Sequence, residues 1–358
     1  MDKLEALASI TRLSDRVVRV LGQSIAHIPS IYRSKPLCKN PGKFTLQGTN
    51  TYIIGRQNPY TLVDTGGGKP SYIPILSSAL RDMPHLVDPN EPDVGDIILS
   101  HRHGDHVGGL KGVLEMLKEI WQERNKGNEN LVFRPPRLHK YPLPSAHQDS
   151  TVHAIIESLP EGSYTPSPSG SPFHDLHDEQ SFPISSAPES ESLRVLYTPG
   201  HTTDSIALYV PSDRALYTAD TVLGQGTAVF EDLAALIASL RKMLAFGSTI
   251  EGGYQCLYPG HGPVVKDAAG LMNTYITHRL EREKQVVQLL QSPTASLSGS
   301  PWTTWDLVSK IYAAYPQDLW LPAAHSIDLH LKKLEKDGRV RRGAGEGKDT
   351  QWVLVDAP

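Results

Sequence analysis

The sequence predicts a layered α/β domain followed by a smaller winged-helix-like unit. Short apolar strands alternate with amphipathic helices over the first two thirds of the chain. Four of those strands end on a histidine or an aspartate, and the last stretch reads as helix, helix, hairpin. The 358 residues are enough for one large core and one small one.

Each element has a local reason. Arg16–Gly22 (RVVRVLG) is a β-branched run and reads as the first strand. Thr49–Gly55 and Tyr60–Gly66 are two more, split by the turn residues Gln57, Asn58 and Pro59. Ser71–Met83 places apolar residues at helical spacing. Asp96–Ser100 is a short apolar strand that runs into ILSHRHGDHVGG, and a helix over Gly109–Arg124 follows. From about Tyr141 to Ser192 the composition turns to Pro, Ser and Gly with few apolar residues, which predicts an extended, partly mobile insertion. Its histidines, His147, His153, His174 and His177, lack a rigid strand-end setting and are not expected to bind metal.

Order resumes at Leu193–His201 (LRVLYTPGH). Ser205–Pro211 and Arg214–Asp220 read as paired strands around a Ser212-Asp213 turn. Phe230–Leu244 is an amphipathic helix, Tyr254–Gly262 a strand, and a long helix runs on through Leu290. Gln291–Pro301 reads as a linker. Beyond it lie a helix in Thr304–Pro316, a second beginning near His325 and stopped by Gly338, and the strand pair RVRR and QWVLV. The division expected is a catalytic domain over 1–265 and a long helix plus winged-helix-like cap over 266–358. Lys332, Lys333, Lys336, Arg339, Arg341 and Arg342 make the cap locally basic; a structural, solvated role is favoured over nucleic-acid contact.

Bulk properties narrow the function class. A net charge of −4 gives no general attraction to nucleic acid or anionic membrane. The two cysteines, Cys38 and Cys256, sit far apart outside any CxxC pattern, so no disulfide framework is expected. The N-terminal segment carries early acids and no long apolar run. It does not read as a signal peptide or a membrane span, and a reducing, cytoplasmic setting is expected.

The chemistry is concentrated at strand ends. IILS runs into His101, His103, Asp105 and His106; VLYTPG ends at His201, ALYTA at Asp220 and CLYPG at His261. A hydrophobic strand fixes the residue at its end, so ligands placed this way are held with little play. The glycines before His201 and His261 are expected to let the backbone bend sharply. One strand-end histidine would be an ordinary core residue. HxHxDH with three further strand-end groups in the order His, Asp, His is a metal pattern.

That set resembles the metallo-β-lactamase superfamily, which implies an αββα sandwich. The resemblance implies that His101, His103 and His201 hold a first metal, that Asp105, His106 and His261 hold a second, and that Asp220 bridges them. Imidazole with carboxylate suits two zinc ions best, with iron or manganese as alternatives. Seven ligands for two metals leave room for a bridging water. Asp64 in LVDTG resembles the superfamily's buried strand-end aspartate, while a turn-capping role fits the sequence equally well.

Outside the ligands, NPGKFTLQGTNTY, YTPGHT, FEDL, YPGHGPVV and HLKKLEKDGRV are similar to two groups. One is the beta-lactamase-like protein 2 group, and the other the fungal metallo-β-lactamase-type thioesterases that act beside non-reducing polyketide synthases. The likeness omits the 141–192 insertion and the stretch Ser24–Lys39. Arg102 stands where these groups usually carry a bulky aromatic, and Ser205 where many carry a histidine. Both positions are expected near the mouth of the site.

The resemblance implies hydrolysis of a thioester on the acyl carrier protein domain of a polyketide synthase, in secondary metabolism, by release or Claisen-type ring closure. Asp105 would orient the attacking water and pass its proton toward the leaving group. The rival readings are an endoribonuclease acting on single-stranded RNA, as the beta-lactamase-like protein 2 group implies, and a metal-binding module without catalysis. DTGGGKPS lacks phosphate-loop spacing, no GxSxG elbow is present, and no histidine neighbours either cysteine in sequence.

Overall fold

Strands with apolar side chains at successive positions need cover on both faces. The computed structural model, which describes residues 4–22, 45–86, 88–128, 130–143, 150–185, 191–292 and 301–355, supplies that cover with two face-to-face sheets and outer helices. The first sheet runs β1 (Ile10–Arg12), β2 (Val17–Leu21), β3 (Asn50–Ile54), β4 (Tyr60–Val63), β5 (Val94–Leu99), β6 (Arg137–Lys140), β7 (Phe173–Asp175) in spatial order. It is antiparallel from β1 to β4 and parallel from β4 to β7. The second sheet is built from β8 (Ser181–Phe182), β9 (Leu193–Tyr197), β10 (Ile206–Val210), β11 (Ala215–Ala219) and β12 (Cys256–Pro259), in the order β12-β11-β10-β9-β8. Only its β11–β12 pair is parallel.

The period-2 pleat sorts side chains between two cores. Tyr52, Ile54, Val63 and Ile98 face inward, against Val195, Leu208 and Tyr217 of the other sheet. The intervening Ile53, Leu62, Ile97 and Leu99 face outward, under helices α1 (Tyr72–Arg81) and α3 (Leu110–Arg124). Short helices α2 (Gly104–Val107) and α4 (Ser150–Glu157) complete that side. On the second sheet Leu196, Ala207, Leu216 and Leu257 point out, beneath α5 (Leu233–Ser248) and α6 (Ala268–Gln291). The result is an αββα sandwich. Each fully buried Ile or Leu contributes about 1.5–3 kcal/mol relative to exposure.

Helix α6 belongs to two cores. Ala268, Met272 and Tyr275 pack beneath the second sheet, whereas Val286 and Val287 pack into the C-terminal unit. That unit holds α7 (Thr304–Ile311) and α8 (Trp320–Lys336), with β13 (Trp302–Thr303), β14 (Val340–Arg342) and β15 (Gln351–Leu354) in the order β13-β15-β14. A Thr303/Asp306 capping box starts α7. Two helices and a small antiparallel sheet make the winged-helix arrangement. No helix among the described residues is long and apolar enough to cross a membrane.

The structure departs from the sequence expectations in three places. The described parts of the 141–192 segment are not an extended excursion: they form α4 and supply an edge strand to each sheet, β7 and β8. Short edge strands need little apolar content, which is why composition hides them. No strand is expected at β6 (RLHK), whose polar residues are satisfied in the fold: His139 bonds Asp96 and Lys140 pairs with Asp204. Helix α8 begins at Trp320, ahead of His325. Cys38 and His147 lie outside the described residues, as do Ser24–Lys39 and most of the linker, 293–300; Cys256 is a free thiol.

Candidate metal centre

Parallel pairing puts the C-terminal ends of β4 and β5 at one edge of the first sheet, and those of β11 and β12 at one edge of the second. Hydrogen bonds stitch the two edges together. Asn50 N–H donates to Gly260 O (2.7 Å), Asn50 Nδ2 to Pro259 O (2.9 Å), Tyr52 Oη to Pro259 O (2.8 Å) and Ile206 N–H to Ser100 O (3.1 Å). The residues that follow these strands therefore meet.

All seven candidate ligands converge there. Donor atoms of His101, His103 and His201 lie within 4.8 Å of one another; the same holds for Asp105, His106 and His261, and for His101, His106 and Asp220. His201 Nε2 is 2.9 Å from His103 Nδ1. Asp220 Oδ2 is 3.2 Å from His261 Nε2 and 3.7 Å from His201 Nε2, and its Oδ1 is 3.3 Å from His106 Nε2. Asp105 Oδ2 is 3.2 Å from His261 Nε2 and accepts from Thr49 Oγ1 at 3.3 Å. Asp220 thus touches both triads.

Four rings are aimed by their far nitrogen. Nδ1 of His101 meets Ser100 Oγ (3.0 Å), that of His106 meets Asp64 (2.7 Å), that of His201 meets Val229 O (2.8 Å) and that of His261 meets Gly48 O (2.9 Å). This leaves Nε2 of His101, His106 and His261, and Oδ1 of Asp220, buried without a hydrogen-bond partner. A buried polar atom left unpartnered costs about 1–3 kcal/mol. Several of them facing one point fit a divalent cation that all of them ligate.

The electrostatics agree. Burial and the imidazoles of His106 and His201 push His101 well below the usual histidine range, and burial with His201 brings His103 down to about 4. Both rings offer neutral lone pairs. Burial opposes charge on His106 and His261 too, but Asp220 and Asp105 outweigh it; His106 rises well above the usual range and His261 to about 9. Burial works toward the neutral acid at Asp105 and Asp220, and the facing histidines overturn it, so both carboxyls titrate far below the usual range. The two carboxylates thus hold positive charge at this point, as protons on His106 and His261.

Strained backbone presents these groups. Ala219 has φ +45°, at a register shift in β11, and Asp220 follows it. A left-handed alanine costs roughly 1–2 kcal/mol and persists only where its surroundings impose it. Gly200 has φ +137°, and a Cβ there would sit 2.4 Å from the Leu236 backbone. Gly260 does not bend in this way; it is glycine for lack of room, since a Cβ would lie 2.4 Å from Asp220 Oδ1. Asp64, at φ +61°, is fully buried. It accepts from Ser100 N–H (2.8 Å), Ser100 Oγ (2.7 Å) and Tyr217 Oη (2.5 Å) besides His106, and so ties the histidine loop to the second sheet.

Other expected residues fall elsewhere. His153 is exposed beside Glu157, and His174 bonds Thr165 O; neither joins the cluster, nor does His177. Arg102 is part-exposed and pairs with Asp204 and with Glu231, which lines the cleft, but it is not itself among the cleft's lining residues. Ser205 is not at the mouth: it is buried under the loop, where it bonds Thr202 N–H (3.1 Å) and Thr202 Oγ1 (2.7 Å). Sequence reasoning missed Ser100, Thr49 and Tyr217. Ser100, next to His101, carried a local signal; Thr49 and Tyr217 carried none, because their partners are distant in the chain.

Comparison with known proteins places this geometry in a family. The pattern of the Metallo-beta-lactamase superfamily matches residues 44–261, and that of the Beta-lactamase associated winged helix domain matches 303–352. A Drosophila melanogaster protein named "Beta-lactamase-like protein 2 homolog" is 33% identical over 94% of this chain and 93% of its own length. An "Atrochrysone carboxyl ACP thioesterase" of Claviceps purpurea is 30% identical over 99% of this chain and 91% of its own. The crystal structure of a beta-lactamase domain protein from Burkholderia ambifaria superposes with a TM-score of 0.62 at 16% identity, covering 99% of this chain and 96% of that one. The chain belongs to the metallo-β-lactamase superfamily, whose members are mostly hydrolases, and carries the superfamily's associated winged-helix domain.

Proposed function

We propose that the chain is a binuclear metal-dependent thioesterase. Its substrate is an acyl thioester on the acyl carrier protein domain of a non-reducing polyketide synthase, and the chain is released or helped into ring closure. His101, His103 and His201 would hold one zinc ion, Asp105, His106 and His261 the other, with Asp220 shared. Bound divalent cations supply Lewis acidity, lowering the pKa of a water and polarising the carbonyl. The anchored rings set where that chemistry occurs. Asp105, part-exposed on the cleft while His101, His106 and His261 are buried, orients the attacking water and relays its proton toward the leaving sulfur. A thiol of pKa about 8.5 can leave as the thiolate, so no separate general acid is needed at the sulfur.

The observation that carries this reading is the cleft beside the cluster. It is walled by Leu46, Leu223, Ala228 and Val229 near the ligands and by Phe230 and Leu329 beyond. Such walls suit an acyl chain. The basic face of the C-terminal unit is neutralised in part: Lys332 pairs with Asp328, Lys333 and Arg339 with Glu283, and Lys336 with Asp232, which leaves the exposed Arg341 and Arg342. That disfavours it as a track for RNA. Relatives named as ACP thioesterases support the same choice.

The test incubates metal-loaded protein in parallel with a polyketide thioester on its carrier protein and a labelled single-stranded RNA, against an Asp105→Ala/His106→Ala control. Thioester release that vanishes in the control is expected. RNA cleavage without thioester turnover would replace this reading with the nuclease. Bound metal with turnover of neither would leave the fold and remove the substrate.

A further inference from the structure

We propose that Arg279 and Arg282 on α6 form a phosphodiester-binding subsite for the phosphate at the root of a phosphopantetheine arm, whose thioester tip reaches the histidine–aspartate cluster along the cleft beneath α8. The inference rests on the thioesterase reading and deepens it.

Three cavities adjoin through shared lining residues, with Thr227 common to all of them. One of about 300 Å³ surrounds the cluster. The next, about 490 Å³, shares His103, His201 and Val229 with it and continues to Arg279 and Ser326. The third, about 350 Å³, shares Arg279 and Ser326 and opens at Arg282. A route therefore leads from the reacting centre to two guanidinium groups one helical turn apart.

Those two groups are the arginines of this lining, and neither is paired with an acid among the described residues. The neighbouring Lys332, Lys333, Lys336 and Arg339 are matched by carboxylates, yet no carboxylate among the described residues lies within ion-pair distance of Arg279 or Arg282. Glu281, in the same lining, pairs with neither. Like charges at i and i+3 repel each other unless an anion sits between them. Both are also held in place. Arg279 stacks on Phe230 (4.6 Å to the ring centre) and donates Nη2 to Ala228 O (2.9 Å). Arg282 lies over the Tyr312 ring at 4.7 Å and donates no hydrogen bond to any described residue. A guanidinium stacked by its face keeps its edge donors free for a planar pair of phosphate oxygens.

The cleft between fits the arm. Its walls mix Phe230, Leu329 and Pro322 with Thr227 and Ser326, as an arm of methylenes and amides requires. Two arginines at one point serve one phosphate. A strand of RNA needs a stripe, and Lys332, Lys333, Lys336 and Arg339 are already paired with carboxylates.

The test compares one acyl group on phosphopantetheine with the same group on pantetheine, which lacks the phosphate. It uses the metal-loaded wild type, Arg282→Gln, and Lys284→Gln as a charge-matched control outside the cleft lining. Binding of acyl-free phosphopantetheine and pantetheine is measured by calorimetry alongside. Wild type should favour the phosphorylated carrier by about 10- to 100-fold, in KM and not kcat, as a charged hydrogen-bond pair provides. Arg282→Gln should lose most of that preference with an unchanged melting temperature, and Lys284→Gln should keep it. Because Arg279 is embedded, Arg279→Lys serves as its milder probe and should keep part of the preference.

Turnover of both carriers with equal KM would overturn the subsite and leave the thioesterase reading standing. No thioester turnover together with no phosphopantetheine binding would overturn both. Cleavage of single-stranded RNA that Arg282→Gln weakens, without any phosphate preference among thioesters, would reassign the groove to RNA and overturn the proposal.

Discussion

Two buried histidine environments in this molecule point in opposite directions. In the ligand cluster, His261 is buried among carboxylates and rises to about 9. In α8, His330 is equally buried, but burial and then Arg279, Arg282 and Lys333 push it down to about 3. Both have ring nitrogens without a partner. The difference lies in what surrounds them. Around His261 the anchoring carbonyl of Gly48 fixes one nitrogen, and Asp105 and Asp220 face the other. His330 meets the ring of Phe230 edge-on and no acid. Burial of imidazole is therefore not a metal signal. Burial with converging carboxylates and a fixed tautomer is one.

The largest break in this contrast is Asp105→Asn. It keeps the shape, removes one of the cluster's carboxylates and takes away the proposed proton carrier. Hydrolysis should fall roughly 10²- to 10⁴-fold, read as kcat at saturating metal. A loss under threefold would remove Asp105 from the chemistry.

Asp64→Asn acts one step back. The carboxylate holding His106, Ser100 and Tyr217 becomes an amide, and the histidine loop loses its tie. Metal affinity should drop about 10- to 100-fold, measured by competition with a chromophoric chelator. Wild-type affinity would mean that Asp64 only caps its turn.

His330→Leu tests the other side. The folded state holds this histidine's pKa at about 3, below its unfolded value near 6.5. As pH falls below about 6.5 the unfolded chain takes up a proton that the folded one refuses, so stability is lost toward acid, by at most about 1.4 kcal/mol per pH unit. Urea unfolding of the two proteins between pH 7 and 4.5 should show the leucine variant losing less on acidification. Parallel curves would show His330 to be protonated without penalty.

The smallest effect expected is for Lys336→Gln, which removes an exposed pair with Asp232 across α8 and α5. Unfolding should change by less than about 1 kcal/mol, because solvent screens such pairs. A larger change would show that this contact couples the C-terminal unit to the sandwich.

The amino-acid order alone determined the strand-and-helix alternation, the winged-helix-like end and the residue types at four strand ends, since propensity and periodicity act over a few neighbours. Asp220 and His261 follow runs, ALYTA and CLYPG, whose apolar character is visible locally. Tertiary structure alone decided that these ends share one edge, because β11 pairs with a strand about forty residues on and the Asn50 and Tyr52 bonds span some two hundred. It also decided the fate of the 141–192 segment. Phe173 and Phe182 look isolated in a Pro/Ser-rich run, yet each pairs with an existing strand, which supplies the backbone partners and apolar cover that the segment lacks. Likewise Thr49, Tyr217, Arg279 and Arg282 gain their meaning from groups far away in the chain. Hydrogen bonding and charge act through space, and a linear pattern records them only when the partners are neighbours.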